Sequence, residues 1–195
     1  MTSGKDVDLI ARPRRFGKSL FLDTLYAFLR LNPIGINSCH EDFQKELFED
    51  LSVIEDKDFC KEYMGQFPVL FLNLKDVAGL NFNEAFCHLT DLLAISAQDH
   101  SYLLESPHLS SIEKQRFEEY LNLSFANTDA NRIMASNFLK VILTCFARHF
   151  EKPAVLLIDE YDVPLAKATS GGYYDEMNLF MKSFLAVIKA EERLD

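Results

Sequence analysis

Two short apolar runs constrain this chain more than any other feature. Phe67-Pro68-Val69-Leu70-Phe71-Leu72-Asn73-Leu74 and Ala154-Val155-Leu156-Leu157-Ile158 contain no charge and lie at or just after a proline. Each is too short for an ordinary helix. A strand with one face in water alternates apolar and polar residues, whereas an unbroken apolar run suits a strand covered on both faces. Such strands belong to parallel sheets sandwiched between helices, so the expected class is α/β, with Phe67–Leu74 a central parallel strand.

A third stretch carries the chemistry. Asp8-Leu9-Ile10-Ala11-Arg12-Pro13-Arg14-Arg15 is a short apolar run closing in a basic, proline-bearing turn, and Gly17-Lys18-Ser19 then opens a segment with Leu20, Leu22, Leu25, Phe28 and Leu29 at helical spacing. Strand, turn and helix in that order are the setting of a phosphate-binding loop. A helix start leaves backbone N–H groups unpaired and carries partial positive charge, so a phosphate placed there satisfies the donors and meets a favourable field. Lys18 would reach the outer phosphates and the Ser19 hydroxyl would hold Mg2+. The phosphate-binding set is Arg14, Arg15, Phe16, Gly17, Lys18, Ser19 and Leu20, with Arg14 and Arg15 open between phosphate contact and a solvated turn. A phosphate loop usually begins with glycine, where this chain has Arg12. Pro13 pushes Arg12 toward extended geometry, in which a side chain is tolerated.

Charge narrows the ligand. The chain of 195 residues has a formal net charge of -10, yet Arg12 to Lys18 holds four basic residues and no acid. A basic island on an acidic protein suits a small polyanion, while general nucleic-acid or membrane-surface binding would ask for a broad basic face. With 48% of its residues apolar, the chain supports one sizeable core, and one domain is expected.

The four cysteines, Cys39, Cys60, Cys87 and Cys145, are dispersed and form no Cys-x-x-Cys pair. With no signal peptide upstream, they read as reduced thiols of a cytoplasmic protein. Cys39-His40 and Cys87-His88 do not have metal-site spacing, and packing accounts for them. No apolar run approaches the roughly twenty residues that span a bilayer.

Further helices are expected in chain order. Ser38 with Glu41, and Asn81 with Glu84, have the spacing of capping pairs and open helices over about 39–53 and to about 97. From about 98 to 132 the chain is polar, with one helix from Ser110 to about Leu121 boxed by Glu113, and reads as a surface excursion, either a lid or a plain connection. Ile133 to Phe150 is apolar on most faces and predicts a deeply buried helix ended by Lys152-Pro153. A last helix is expected over about Tyr174 to Glu192.

The second apolar run terminates in Asp159-Glu160-Tyr161-Asp162. In open α/β sheets ligands gather at the carboxyl ends of parallel strands, so these carboxylates would be delivered to the edge that carries Lys18 and Ser19. Asp159 would hold Mg2+, and Glu160 would polarise the attacking water, with Lys18 the other catalytic group.

Ala11 to Leu20 together with Leu157-Ile158-Asp159-Glu160-Tyr161-Asp162-Val163-Pro164 closely resembles the bacterial AAA-ATPase-like family, whose loop reads Arg-Pro-Arg-Arg-Phe-Gly-Lys. The Phe-Pro-Val strand and the Gly-Tyr-Tyr at 172–174 are similar too. The resemblance implies a three-layer α/β/α P-loop NTPase with a mainly parallel sheet, ATP and Mg2+ as cofactors, and ATP hydrolysis through the residues above. It implies that Arg12 is the usual residue at its position and that a nuclease-like domain of the PD-(D/E)xK kind often follows. The resemblance also implies a further core strand with a polar sensor residue, which would begin beyond Asp195, so the chain reads as a partial domain. A nucleotide-dependent switch or scaffold with negligible turnover is the alternative function.

Overall fold

The computed structural model describes residues 8, 10, 16–31, 40–123 and 126–190. Over these the protein is α/β and mostly helical. Its strands are β1 (Val69–Asn73) and β2 (Val155–Asp159), which pair in parallel from Val69 opposite Val155 to Asn73 opposite Asp159. Both lie within the two apolar runs. Among the described residues β1 has a strand partner on one side only, so the central position expected for it is not observed there.

The helices in chain order are α1 (Lys18–Leu29), α2 (His40–Phe48), α3 (Lys57–Tyr63), α4 (Phe82–Asp99), α5 (Ser111–Leu121), α6 (Asp129–Phe150), α7 (Val163–Gly171), α8 (Tyr174–Phe184) and α9 (Ala186–Ala190). The two-residue period of a strand sorts its side chains to two faces. Val69 and Leu157 pack with Leu22 of α1, and Ile10, Leu25, Tyr26, Leu29, Phe71 and Val155 join them. Leu70 and Leu72 face the other way, into the main core built from α4, α5, α6 and α8, with Leu156 and Ile158 against it. Helices therefore cover both faces of the sheet, which is why neither strand alternates.

Caps set several boundaries. Asn81 Oδ1 accepts from Glu84 N at 3.0 Å, opening α4, and Ser110 and Glu113 form a reciprocal box at the start of α5. Each such cap contributes about 1 kcal/mol. Asp56 Oδ1 accepts from Phe59 N and starts α3, a helix the apolar pattern did not signal. Pro164 stands in the first turn of α7, likewise absent from the sequence reading. α6 begins at Asp129, before Ile133, because Thr128 Oγ1 accepts from Asn131 N at 3.2 Å. Its buried residues, Ala135, Phe138, Leu139, Ile142, Cys145 and Phe146, form one face, while Ile133 is 63% exposed; the helix is not buried all round. α2 is shorter than expected, and its proposed Ser38 cap lies outside the described residues. The last helix is divided at Leu185 into α8 and α9.

The stretch read as a surface excursion, about 98–132, differs most from expectation. Leu103 and Phe117 are fully buried, and Leu109, Tyr120 and Leu123 nearly so. Its polar residues mask a few well-spaced apolar ones that wall the core between α4 and α6.

Candidate functional site

The direction of α1 is fixed at its far end. Arg30 bridges to Phe67, Phe67 N donates to Leu29 O at 3.0 Å, and Gly65 N donates to Phe28 O at 2.8 Å. The end of α1 therefore sits where β1 begins. Twelve residues of helix rise about 18 Å, close to the roughly 17 Å of a five-residue strand. A helix doubled back along the sheet thus returns its first turn to the carboxyl ends of β1 and β2.

That first turn is open. Gly17 stands before it with φ of 69°, supplies no side-chain cap, and is followed by no acidic residue in the first turn. A Cβ at Gly17 would meet nothing within 4 Å, so backbone conformation rather than space calls for glycine. Phe21 N donates to Gly17 O at 2.9 Å, which leaves the amides of Lys18, Ser19 and Leu20 ahead of the helical ladder. Lys18 makes no ion pair with another described residue.

Asp159 closes β2. It is 1% exposed, and both carboxylate oxygens are engaged: Oδ1 accepts from Glu160 N at 3.0 Å and Oδ2 from Asn73 Nδ2 at 3.2 Å. No basic side chain among the described residues pairs with it. Glu160 follows with φ of 54°, a left-handed conformation that costs a non-glycine residue about 1–2 kcal/mol. Its carbonyl accepts from Val163 N at 3.0 Å, turning the chain into α7.

Lys18, Asp159 and Glu160 line one cavity of about 870 Å³, with Asp8 and Tyr161 at the same lining. The volume lies within the range of small-molecule sites. The cavity follows the whole of β2, with Leu22, Leu25 and Leu29 of α1 on one side and Leu143, Val187 and Ile188 on the other. An ammonium and three carboxylates are thus set in a largely apolar trough, where electrostatic interactions are stronger than in water.

Of the other residues expected at the site, Phe16, Gly17, Ser19 and Leu20 do not line this cavity. Phe16 is 67% exposed and Leu20 71% exposed, and Ser19 is exposed as well. Arg14 and Arg15 lie outside the described residues, as does most of the apolar run before them; Asp8 and Ile10 are described and neither is in a strand. Sequence reasoning passed over Asn73, whose signal was a single amide at the end of an otherwise apolar run.

No group of three or more His, Cys, Asp and Glu side chains among the described residues is arranged to hold a metal by itself. Mg2+ characteristically takes one or two protein oxygens and completes its shell with water and substrate phosphate. A buried carboxylate with no cationic partner among the described residues, lining the same cavity as the first residue of α1, fits an ion of that kind. No described helix is long and apolar enough to cross a membrane.

A family model described as predicted AAA-ATPase matches residues 1–194. No curated protein and no solved structure matches the chain.

Proposed function

The chain belongs to the predicted AAA-ATPase family, and from that premise we propose that it binds ATP with Mg2+ and hydrolyses the terminal phosphate bond. The observation that carries this reading is the shared cavity of Lys18, Asp159 and Glu160. The first-turn amides of α1 and the Lys18 ammonium bind the phosphates and stabilise charge on the outer one. Ser19 and Asp159 would hold Mg2+, which when bound neutralises phosphate charge and orients the terminal group. Glu160, turned out of the strand direction by its left-handed backbone, accepts a proton from the attacking water. Arg14 and Arg15 add positive charge to the loop.

Phosphate release by the wild type beside Glu160→Gln tests the hydrolytic part. A general base contributes about 10²–10⁴-fold, so the variant should fall by that range while still binding ATP. Equal background rates in both proteins would leave the second reading, a nucleotide-ordered switch with negligible turnover. Lys18→Ala tests the loop: loss of a charged hydrogen bond worth about 1.5–3 kcal/mol should weaken ATP binding about tenfold or more, with the fold intact. Unchanged affinity in calorimetry on folded protein removes the loop assignment.

A further inference from the structure

Asn73 stands out as the one polar residue of β1, following Val69, Leu70, Phe71 and Leu72. Its side chain has one arrangement. Asn73 Oδ1 accepts from Lys75 N at 3.0 Å, which leaves Nδ2 as the donor to Asp159 Oδ2 at 3.2 Å. The two residues are register partners at the last rung of the parallel ladder, and Leu74 N donates to Asp159 O at 3.0 Å immediately beyond it. With the Glu160 amide on Oδ1, the Asp159 carboxylate is gripped at both oxygens and cannot rotate without breaking one bond. A carboxylate offers about four acceptor positions. Two are taken by protein donors, and those left over belong to a group that lines the cavity.

We propose that Asn73 is the positioning residue for Asp159: its amide fixes the plane of the carboxylate so that the unused acceptor positions present to a divalent cation accompanying the nucleotide. The inference rests on the ATP and Mg2+ reading above and adds the residue on which its metal affinity depends. Neighbouring donors that orient a ligating carboxylate commonly govern metal affinity by about 10–100-fold. The Lys75 amide matters as well, because it decides which end of the Asn73 side chain meets Asp159.

The test compares wild type, Asn73→Leu and Asn73→Ser. ATP affinity is measured by calorimetry in EDTA and then along a MgCl2 titration, with the melting temperature of each protein as a control. In Asn73→Leu the Mg2+ needed for half of the affinity gain should rise about tenfold or more, with affinity in EDTA unchanged. Asn73→Ser, which keeps a donor and disturbs packing less, should lie between. If folded variants match the wild type along the titration, or if affinity drops equally in EDTA and in Mg2+, Asn73 is structural only and the proposal is overturned. A wild type that gains no affinity from Mg2+ overturns the metal-binding reading itself, an outcome distinct from wild-type gain with variant equality.

Discussion

Glu160 donates its backbone N–H to Asp159 Oδ1 at 3.0 Å while holding a φ of 54°. The strained residue and the buried carboxylate are therefore locked to each other. Glycine adopts this backbone without penalty, whereas a β-branched residue adopts it only at a cost of about 1–3 kcal/mol. Glu160→Gly is expected to keep or raise the melting temperature, Glu160→Val to lower it, and both to lose phosphate release. Equal melting temperatures for the two variants would show that the left-handed backbone stores no strain.

The end of α1 depends on one buried amide. Gln44 Nε2 donates to Ala27 O at 2.8 Å and to Arg30 O at 3.0 Å, carbonyls that the helix itself leaves unpaired. A Cβ at Gly65, where φ is 68°, would lie 2.6 Å from Gln44 Oε1. Gln44→Ala should cost about 1–3 kcal/mol in urea unfolding, and Gly65→Ala should be destabilising through both φ and contact. A stable Gly65→Ala would mean that Gln44 yields freely and does not hold the helix end.

Tyr173 clamps a distant loop. Its hydroxyl donates to Gly79 O at 3.0 Å and accepts from Gly79 N at 3.3 Å, while its ring is buried beside Gly171. Tyr173→Phe removes only the hydroxyl and strands a backbone donor and acceptor. The expected loss is about 1–3 kcal/mol by chemical unfolding, with nucleotide affinity unaffected because Tyr173 does not line the cavity. A stability equal to wild type would show that water replaces both bonds at no cost.

Stability should fall in mild acid through His100. Burial lowers its pKa from the usual value, outweighing the Ser96 carbonyl at 2.7 Å from Nδ1, and its ring packs 4.9 Å from Phe146. As the pH drops through the unfolded value of about 6.5, the unfolded chain takes up the proton more readily than the folded one, and stability is lost. The melting temperature of wild type should therefore drop further than that of His100→Gln between about pH 7.5 and about pH 5.5. Parallel pH profiles for the two proteins would exclude His100 as a contributor.

What the sequence determined by itself is local. Val69–Asn73 and Val155–Asp159 became strands because unbroken apolar runs of that length have few other uses, and α4 and α5 begin where Asn81 and Ser110 meet a glutamate three residues on. Each signal spans only a few residues, so it survives without knowledge of the rest of the chain. The polar stretch at 98–132 misled because burial of Leu103 and Phe117 depends on which helices stand beside them.

Tertiary structure decided everything that joins distant segments. Leu29 and Phe67 pair to set the direction of α1, and only then does Lys18 come to the same cavity as Asp159 and Glu160. The bond from Asn73 to Asp159 crosses 86 residues of sequence and exists because the register places them on one rung; a slip by one residue would turn one side chain to the opposite face. Register and helix direction are properties of packing between elements, and no single stretch of the chain contains them.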